Sequence, residues 1–521
     1  MDVPNPHAAW PGRGDGPAPP APWLGQPAAG ARLRCGVVDL GSNSVRLVVF
    51  EGRGRNPQAI FNEKAVLGLG RGLQASGRLN EDAIGPALTV LARYHAVARA
   101  MRAEPLEVLA TAAVRDATNG AAFVDALADR MPGVPIRILT GEEEARLSAA
   151  GLLLGFPAAD GILGDLGGGS LEVVRLDHGR MRGIASLPIG SIRLAERSGG
   201  DVVRARAIAE TELARHPWLA EGNGGDLYLV GGAWRALARM HIAQTGYPLA
   251  LVHHYVLRRE EARDLAGVVI AASRRALERM PGVSQKRLPD LPFAAVALRR
   301  LLRATSAARV VFSANGLREG WYSDLLPDAV RQADPLREAA RELATNWGRD
   351  PALPPALLAW TDTAFPAEAP AARNLREAAC WVSDIGSHDH PEYRAEQAFL
   401  RILRQHGAGL DHHARAFLAL CAALRYEADP AAPFLAPTRL LLDAPTIRRA
   451  EALGAALRLA YTLCGGTPEL LAGTTLERRG SRLALRLSEG TGVFAGESVM
   501  RRVEALAAAL GLDPVVEVTA A

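Results

Sequence analysis

Two short segments carry the first chemistry. Val38-Asp-Leu-Gly-Ser-Asn-Ser44 and Gly164-Asp-Leu-Gly-Gly-Gly-Ser170 each read as an apolar strand ending in Asp, then a turn rich in Gly and hydroxyls, then a returning strand. Glycines let backbone N–H groups converge on an anion without obstruction from Cβ. Ser44, Ser170 and Asn43 add side-chain hydrogen bonds. Asp39 and Asp165 would repel phosphate, and a divalent cation between carboxylate and phosphate resolves the conflict. Mg2+ suits this role, because it takes one or two carboxylates together with water and phosphate oxygens. Glu172, two residues after Ser170, is a further candidate for that shell. The bland alternative is a pair of tight turns in which Asp and Ser cap their own backbone.

The two segments lie 126 residues apart, and Asp39/Asp165, Leu40/Leu166, Gly41/Gly167, Ser44/Ser170 and Val48/Val174 are identical. One glycine turn favours the bland reading. Two copies a domain's length apart point to an internal duplication and a phosphate cleft.

The surrounding pattern is α/β. Residues 81–103 carry Ile84, Leu88, Leu91 and Ala98 at helical spacing after Asn80 as N-cap. Strand Val108–Leu109 leads to Ala110-Thr-Ala-Ala-Val-Arg115. Strand Ile136–Leu139 leads to Thr140-Gly-Glu-Glu-Glu144 and a helix with Leu147, Gly151 and Leu154 on one side. Strand Leu227–Val230 runs into Gly231-Gly232, and Val310–Phe312 into Ser313-Ala-Asn-Gly-Leu-Arg-Glu-Gly320. Such strand–Gly–helix edges are where open α/β sheets hold ligands. From about residue 326 the pattern turns helical, as in 446–463. A hairpin around Gly480-Ser481 and an amphipathic helix over 498–510, stopped by Gly511, follow.

Composition bounds the alternatives. The chain has 521 residues, 49% hydrophobic and 22% charged, which allows three or four globular domains. No apolar run is long enough to span a bilayer. Four well-separated cysteines, Cys35, Cys380, Cys421 and Cys464, exclude a disulfide scaffold and fit a reducing, cytoplasmic setting. The net charge is +4 and the pI about 9.0, but the lysines are Lys64 and Lys286 alone among 60 basic residues. The arginines are dispersed along the chain, so no DNA partner and no membrane partner is indicated. Residues 1–34, rich in Pro, Gly and Ala, lack the basic and apolar regions of a signal peptide and read as a disordered extension.

Asp39-Leu-Gly-Ser-Asn-Ser44, Ala110-Thr-Ala-Ala-Val-Arg115, Gly141-Glu-Glu-Glu-Ala-Arg-Leu147, Asp165-Leu-Gly-Gly-Gly-Ser170 with Glu172, and Gly316-Leu-Arg-Glu-Gly320 occur in this order. Together they resemble the exopolyphosphatase/guanosine pentaphosphate phosphohydrolase (Ppx/GppA) family. The resemblance is clear over residues 35–325 and looser beyond. It implies a duplicated actin-like core of the sugar-kinase and Hsp70-type ATPase kind, followed by a mostly helical HD-like domain and a small α/β unit. The expected division is 1–34, 35–147, 148–325 and 326–521.

The resemblance further implies hydrolysis of the terminal phosphate of inorganic polyphosphate, or of the 5′ γ-phosphate of pppGpp, with Mg2+ and water, by a homodimer. Carried over by motif, Glu144 matches the catalytic base and Arg115 the arginine on the substrate phosphate. Asp165 and Glu172, with Asp39, match the acidic surroundings of the metal. Gly41, Ser42, Asn43 and Ser44, with Gly167, Gly168, Gly169 and Ser170, match the two phosphate loops. Ala112 stands where the family often has Ser, and Gly231-Gly232-Ala233-Trp234 lacks a common Thr.

Glu142, Glu143 and Glu144 open a helix, where successive residues point about 100° apart, so one of the three faces the cleft. The alternative is that all three complement the helix dipole. Arg115 has the alternative of an ion pair with Asp116. His388-Asp389, with Asp384 and His406, resembles an HD metal centre, but further ligands at helical spacing are not evident and a structural role is favoured. His253-His254 reads as local packing. Arg448-Arg449, Arg478-Arg479 and Arg501-Arg502 are candidates for a polyanion path, against solvated faces. A non-catalytic phosphate or alarmone sensor and a kinase of the same fold are the competing classes. Retention of Glu144, Arg115, Asp165 and Glu172 argues against the first, and a Glu rather than an Asp base against the second.

Overall fold

The computed structural model describes residues 33–282, 285–488 and 496–518. The expected extension over 1–34 lies outside them except for Leu33 and Arg34. Strand β1 (Arg34–Leu40) is followed by β2 (Ser44–Glu51), β3 (Gln58–Val66), β4 (Leu106–Ala110) and β5 (Ile136–Ile138). They form a sheet in the order β3-β2-β1-β4-β5, with β2 antiparallel to both neighbours and β4 and β5 parallel to β1.

The second sheet repeats the plan. Strands β6 (Gly161–Leu166), β7 (Leu171–Asp177), β8 (Arg180–Leu187), β9 (Asp226–Val230), β10 (Tyr255–Arg258) and β11 (Arg309–Phe312) take the order β8-β7-β6-β9-β11-β10. Their directions match the first sheet, with β10 added as an antiparallel edge. The duplication inferred from two glycine turns is thus a duplication of topology.

Alternation along each strand explains the layering. On the first sheet Val38, Leu40 and Leu47 pack outward against helix Glu81–Ala100 through Leu91 and Tyr94. Val37, Val48 and Leu109 point the other way, onto Leu147 and Leu154 of helix Gly141–Gly155. On the second sheet Leu163, Val174 and Val230 meet Ala145, Ala149 and Leu152 of that same helix. This central helix is therefore embedded in two cores at once. A division between 147 and 148 passes through its middle.

Helix Leu317–Asp324 packs across the central helix. A Cβ at Gly320 would lie 1.8 Å from the Leu147 carbonyl oxygen, and one at Gly151 2.0 Å from that of Gly316. Only glycine permits this approach, which gives the Gly316–Gly320 motif a packing reason. Trp321 and Tyr322 of the same helix return to the first sheet's core, so the chain closes back on its own beginning.

Beyond residue 334 the chain is helical. Helices Pro335–Trp347, Pro370–Val382, Arg394–Arg404, His412–Arg425 and Ala444–Cys464 share one core with a small three-stranded sheet and helix Glu497–Leu510. That sheet comprises β12 (Thr474–Arg479), β13 (Arg482–Leu487) and β14 (Asp513–Val518). β12 and β13 form the expected hairpin, and β14 adds in parallel after the helix. Among the described residues no helix is long and apolar enough to cross a membrane.

Candidate active site

The two glycine turns are built alike. Gly41 N–H donates to the Ser44 carbonyl (3.1 Å), and Gly167 N–H to that of Ser170 (3.0 Å). They meet where the two halves adjoin. A Cβ at Gly169 would come within 2.9 Å of Ser42 Oγ and 3.0 Å of Ala112 Cβ, and one at Gly168 within 3.1 Å of Ser42 Cβ. Ala112, where the family often carries Ser, is thus in contact range of the second turn. Asn43 adds a buried side-chain oxygen, Oδ1, with no hydrogen-bond partner among the described residues.

The central helix delivers the acid. Thr140 and Glu143 form a capping box: Glu143 N–H donates to Thr140 Oγ1 (3.2 Å), and Thr140 N–H to Glu143 Oε2 (2.7 Å). Glu142 is exposed. Glu144 turns inward and is 7% exposed. Arg115 Nη1 donates to Glu144 Oε1 at 2.6 Å and to the Leu139 carbonyl at 2.7 Å, and Arg115 Nε donates to Asp116 (3.2 Å). Asp116 in turn accepts from Arg193 (2.5 Å), whose guanidinium lies beside Gly169.

Asp165 and Glu172 complete an acidic pocket. Ser148, one turn along from Glu144, donates to Asp165. Ser186 Oγ donates to Glu172 Oε1 at 2.8 Å. Burial, then the Asp165 charge, pushes the Glu172 carboxyl up to about 7. Burial also raises Asp165. Glu144 is raised well above its ordinary range by burial and then by Glu172, with Arg115 opposing. Low dielectric and like charges both disfavour ionisation.

Two buried carboxylates, Glu144 and Glu172, thus stand beside the half-buried Asp165, and Asp165 and Glu172 are hydrogen-bonded by hydroxyls alone among the described residues. That donor set fits a hard divalent cation, which needs only one or two carboxylates beside water and phosphate. Asp39 stands at the matching strand end of the first half, 3.8 Å from Arg318, close enough to add to the charge on Asp165. Among the described residues, the groups of three or more His, Cys, Asp and Glu ligand atoms that all converge within 4.8 Å belong to Asp160, just before β6, and Asp177 and His178, at the end of β7.

The register across the strands shows what the sequence reading missed. On the second sheet Asp165 pairs with Glu172, and Glu172 with Ser186. At the same places on the first sheet Asp39 pairs with Arg46, and Arg46 with Lys64. The duplicated rows carry opposite charge. Arg235, Arg287 and Arg318 join Arg46 and Lys64 in one electrostatic cluster, although they come from distant parts of the chain. Among the described residues no carboxylate lies within ion-pair distance of Arg46, Lys64, Arg235 or Arg287. Burial, then Arg287, Arg46 and Arg235, lowers Lys64 to about 7. Like charges opposed on adjacent strands are unfavourable without an anion between them. The 126-residue offset was the available signal for Arg46, which it aligns with Glu172. Helical spacing from Glu144 was the signal for Ser148.

Other candidates fall elsewhere. Asp384 is held by Arg349 (2.8 Å) and Arg425 (3.3 Å), and Asp389 by Arg401 (3.0 Å), while His388 and His406 are exposed. The carboxylates of an HD-like centre are thus neutralised by guanidinium groups. Of the candidate arginine pairs, Arg449 is paired with Glu368, Arg479 with Glu477, Arg502 with Glu427 and Arg501 with Glu497 (3.9 Å). His253 and His254 are half-buried where the C-terminal region meets the core.

A doubled α/β core with two adjoining glycine turns defines an actin-like protein. Comparison with known proteins places it more narrowly. Residues 48–329 match the Ppx/GppA phosphatase family, and residues 336–513 match the exopolyphosphatase C-terminal family. The chain belongs to the Ppx/GppA phosphatase family. It is 35% identical over 177 residues to exopolyphosphatase 2 of Mycobacterium tuberculosis, covering 32% of this chain and 55% of that one. The match therefore spans about half the length of that relative. It is 30% identical over 303 residues to exopolyphosphatase 1 of Mycobacterium bovis, covering 55% and 87%. The crystal structure of an exopolyphosphatase from Cytophaga hutchinsonii shares the fold, with 24% identity, a TM-score of 0.52 and coverage of 56% and 99%. Phosphatases of this family generally use a divalent metal.

Proposed function

We propose that the protein is a Mg2+-dependent exopolyphosphatase that releases orthophosphate from the end of inorganic polyphosphate. The observation that carries this reading is the pairing of an acidic pocket with an unpaired cationic row across one cleft. The terminal phosphate belongs on the acidic side, between the turns of Gly41–Ser44 and Gly167–Ser170. The rest of the chain runs over Arg46, Lys64, Arg235 and Arg287.

Asp165 and Glu172 would hold Mg2+, which supplies charge neutralisation at the phosphate. Arg115 binds the terminal phosphate and keeps Glu144 ionised against its surroundings. Glu144 takes the proton of the attacking water. A carboxylate of ordinary acidity is a weak base at neutral pH, and one raised toward the working pH is a better match. With the charge on Glu172 compensated, Glu144 loses one of the carboxylates that hold its proton. Four buried cysteines, free as thiols, support a reducing, cytoplasmic setting.

The deciding experiment is phosphate release from purified protein with Mg2+, across polyphosphates of several lengths, pppGpp and ATP. Preferential turnover of polyphosphate is expected. Preference for pppGpp would replace the substrate, and no release from any of them would overturn the enzyme reading.

Two further results are expected. At about pH 6 Glu172 is mostly protonated, so adding Mg2+ to metal-free protein should release about one proton, with less release above about pH 8. Titration with an indicator dye measures this, and release that does not change with pH would remove the metal from Glu172. Lys64→Met should raise the KM for polyphosphate about tenfold below pH 7 and less above it, since Lys64 carries its charge mainly below that pH. Steady-state kinetics against pH check it.

A further inference from the structure

One residue of the C-terminal region touches both halves of the core. Ala408 lies between helices Arg394–Arg404 and His412–Arg425. Its N–H donates to Asn56 Oδ1 of the first half at 3.0 Å. Its carbonyl accepts from His253 Nε2 (3.0 Å) and His254 Nε2 (2.9 Å) of the second half. The 405–410 loop is held in place by Arg415, which donates to the carbonyls of Gln405 (2.5 Å) and Leu410 (2.9 Å).

The contact continues inward through His253 alone. Ala314 N–H donates to His253 Nδ1 at 3.2 Å. The Ala314 carbonyl accepts from Arg235 Nη1 at 2.7 Å. Arg235 is a member of the cationic cluster and faces Asp165 and Arg46. Two residues on, Gly316 starts the helix that carries Arg318 to Asp39. His254, next to His253, shares the Ala408 carbonyl but has no bond to Ala314 among the described residues.

The partners fix the state of the His253 ring. Nε2 faces a carbonyl and must donate, while Nδ1 faces an N–H and must accept. Only the neutral Nε2–H tautomer satisfies both. Burial, then His254, pushes its imidazole well below the usual range, in keeping with that state. The ring is packed edge-on against Phe156, which ends the central helix, and His412 Nε2 donates to the His253 carbonyl at 3.0 Å. The ring has no spare orientation, so a shift of the 408 loop is passed to Ala314 and on to Arg235.

We propose that His253 is a positioning residue that ties the placement of the C-terminal region to Arg235 and so sets the affinity of the cleft for its polyanion. The proposal rests on the cleft reading given above. It assigns the C-terminal region a role in substrate affinity beyond that of a passive support.

The test compares His253→Gln, His254→Gln, Arg235→Gln and the His253→Gln/Arg235→Gln double variant in the full chain. The readouts are KM and kcat on polyphosphate of one length, binding of inorganic tripolyphosphate by calorimetry, and thermal melting. Loss of the hydrogen bond that fixes Ala314, whose carbonyl holds Arg235, should raise KM and weaken tripolyphosphate binding about tenfold in His253→Gln, with kcat within about twofold of the parent. His254→Gln should lower the melting temperature and leave KM unchanged. The double variant should be no worse than Arg235→Gln, because both act through one group.

Unchanged KM in His253→Gln, equal KM changes in the two histidine variants, or multiplying effects in the double variant would each overturn the relay. Unchanged binding in Arg235→Gln would overturn the cleft reading and the relay with it. If His253→Gln does not fold, Ala314→Pro removes the inner N–H at an exposed position, and the same KM rise is expected; its absence overturns the proposal.

Discussion

Glu144→Gln should fold, bind polyphosphate normally and lose turnover by about 10²–10⁴-fold. The glutamine keeps the shape, and its side-chain oxygen can still accept from Arg115 Nη1, which lies 2.6 Å from Glu144 Oε1. What it loses is the ability to take a proton from water. Folding stability should hold or rise slightly, because the native carboxylate is buried close to Glu172 and Asp165 and is destabilised by both. Phosphate release, tripolyphosphate binding and thermal melting on one preparation separate these effects. Near-normal turnover would mean that another group takes the proton. A collapse of binding would mean that the central helix places substrate rather than water.

Arg115→Gln should lower kcat/KM by about 10³-fold, comparable to loss of a transition-state arginine in phosphoryl transfer. The pH profile should change as well. In the parent, Arg115 opposes the proton on Glu144 against burial and Glu172. Without it, Glu144 needs a higher pH to ionise, so the acidic limb moves upward and the residual activity rises further into alkali. Breaking a buried ion pair costs about 3–5 kcal/mol when the remaining charge stays ionised. Here the carboxyl can take a proton instead, so the penalty appears in the rate profile more than in stability. Arg115→Lys should restore most of the limb but only part of the rate, since the ammonium lacks the planar fork. A uniform loss at every pH, with the limb unmoved, would show that Arg115 serves the phosphate alone.

Local features were legible because they need only neighbouring residues. The glycine turns, the strands that flank them and the three-glutamate helix start can be read from hydrophobic alternation and turn chemistry. Glu144 could be narrowed to one of three by helical geometry, and the capping box took Glu143 out of the cleft. The cationic row was not legible, because it exists only in register. Arg46 and Lys64 are 18 positions apart in sequence, and they oppose each other because β2 and β3 pair as they do. Arg235 and Arg287 arrive from other elements altogether. The double role of the central helix was not legible, since only packing shows that its two faces serve different sheets. Asp384 and Asp389 carried the right residue types for a metal centre, and their arginine partners come from helices whose placement no spacing rule predicts.

The inverted charge of the duplicated rows gives the molecule a handedness toward its ligand. An equal pair of halves would accept a phosphate chain in either direction. On the proposed reading a cation held by Asp165 and Glu172 draws the end of the chain, while Arg46 and Lys64 draw its body. The second station cannot be equipped later: by helix caps, Gly320 is the counterpart of Glu144, and any side chain there would run into the Leu147 carbonyl. The two ends of a linear polyphosphate are equivalent, so under the proposed function either one can enter, and the asymmetry of the rows fixes only which side of the site the terminal phosphate occupies.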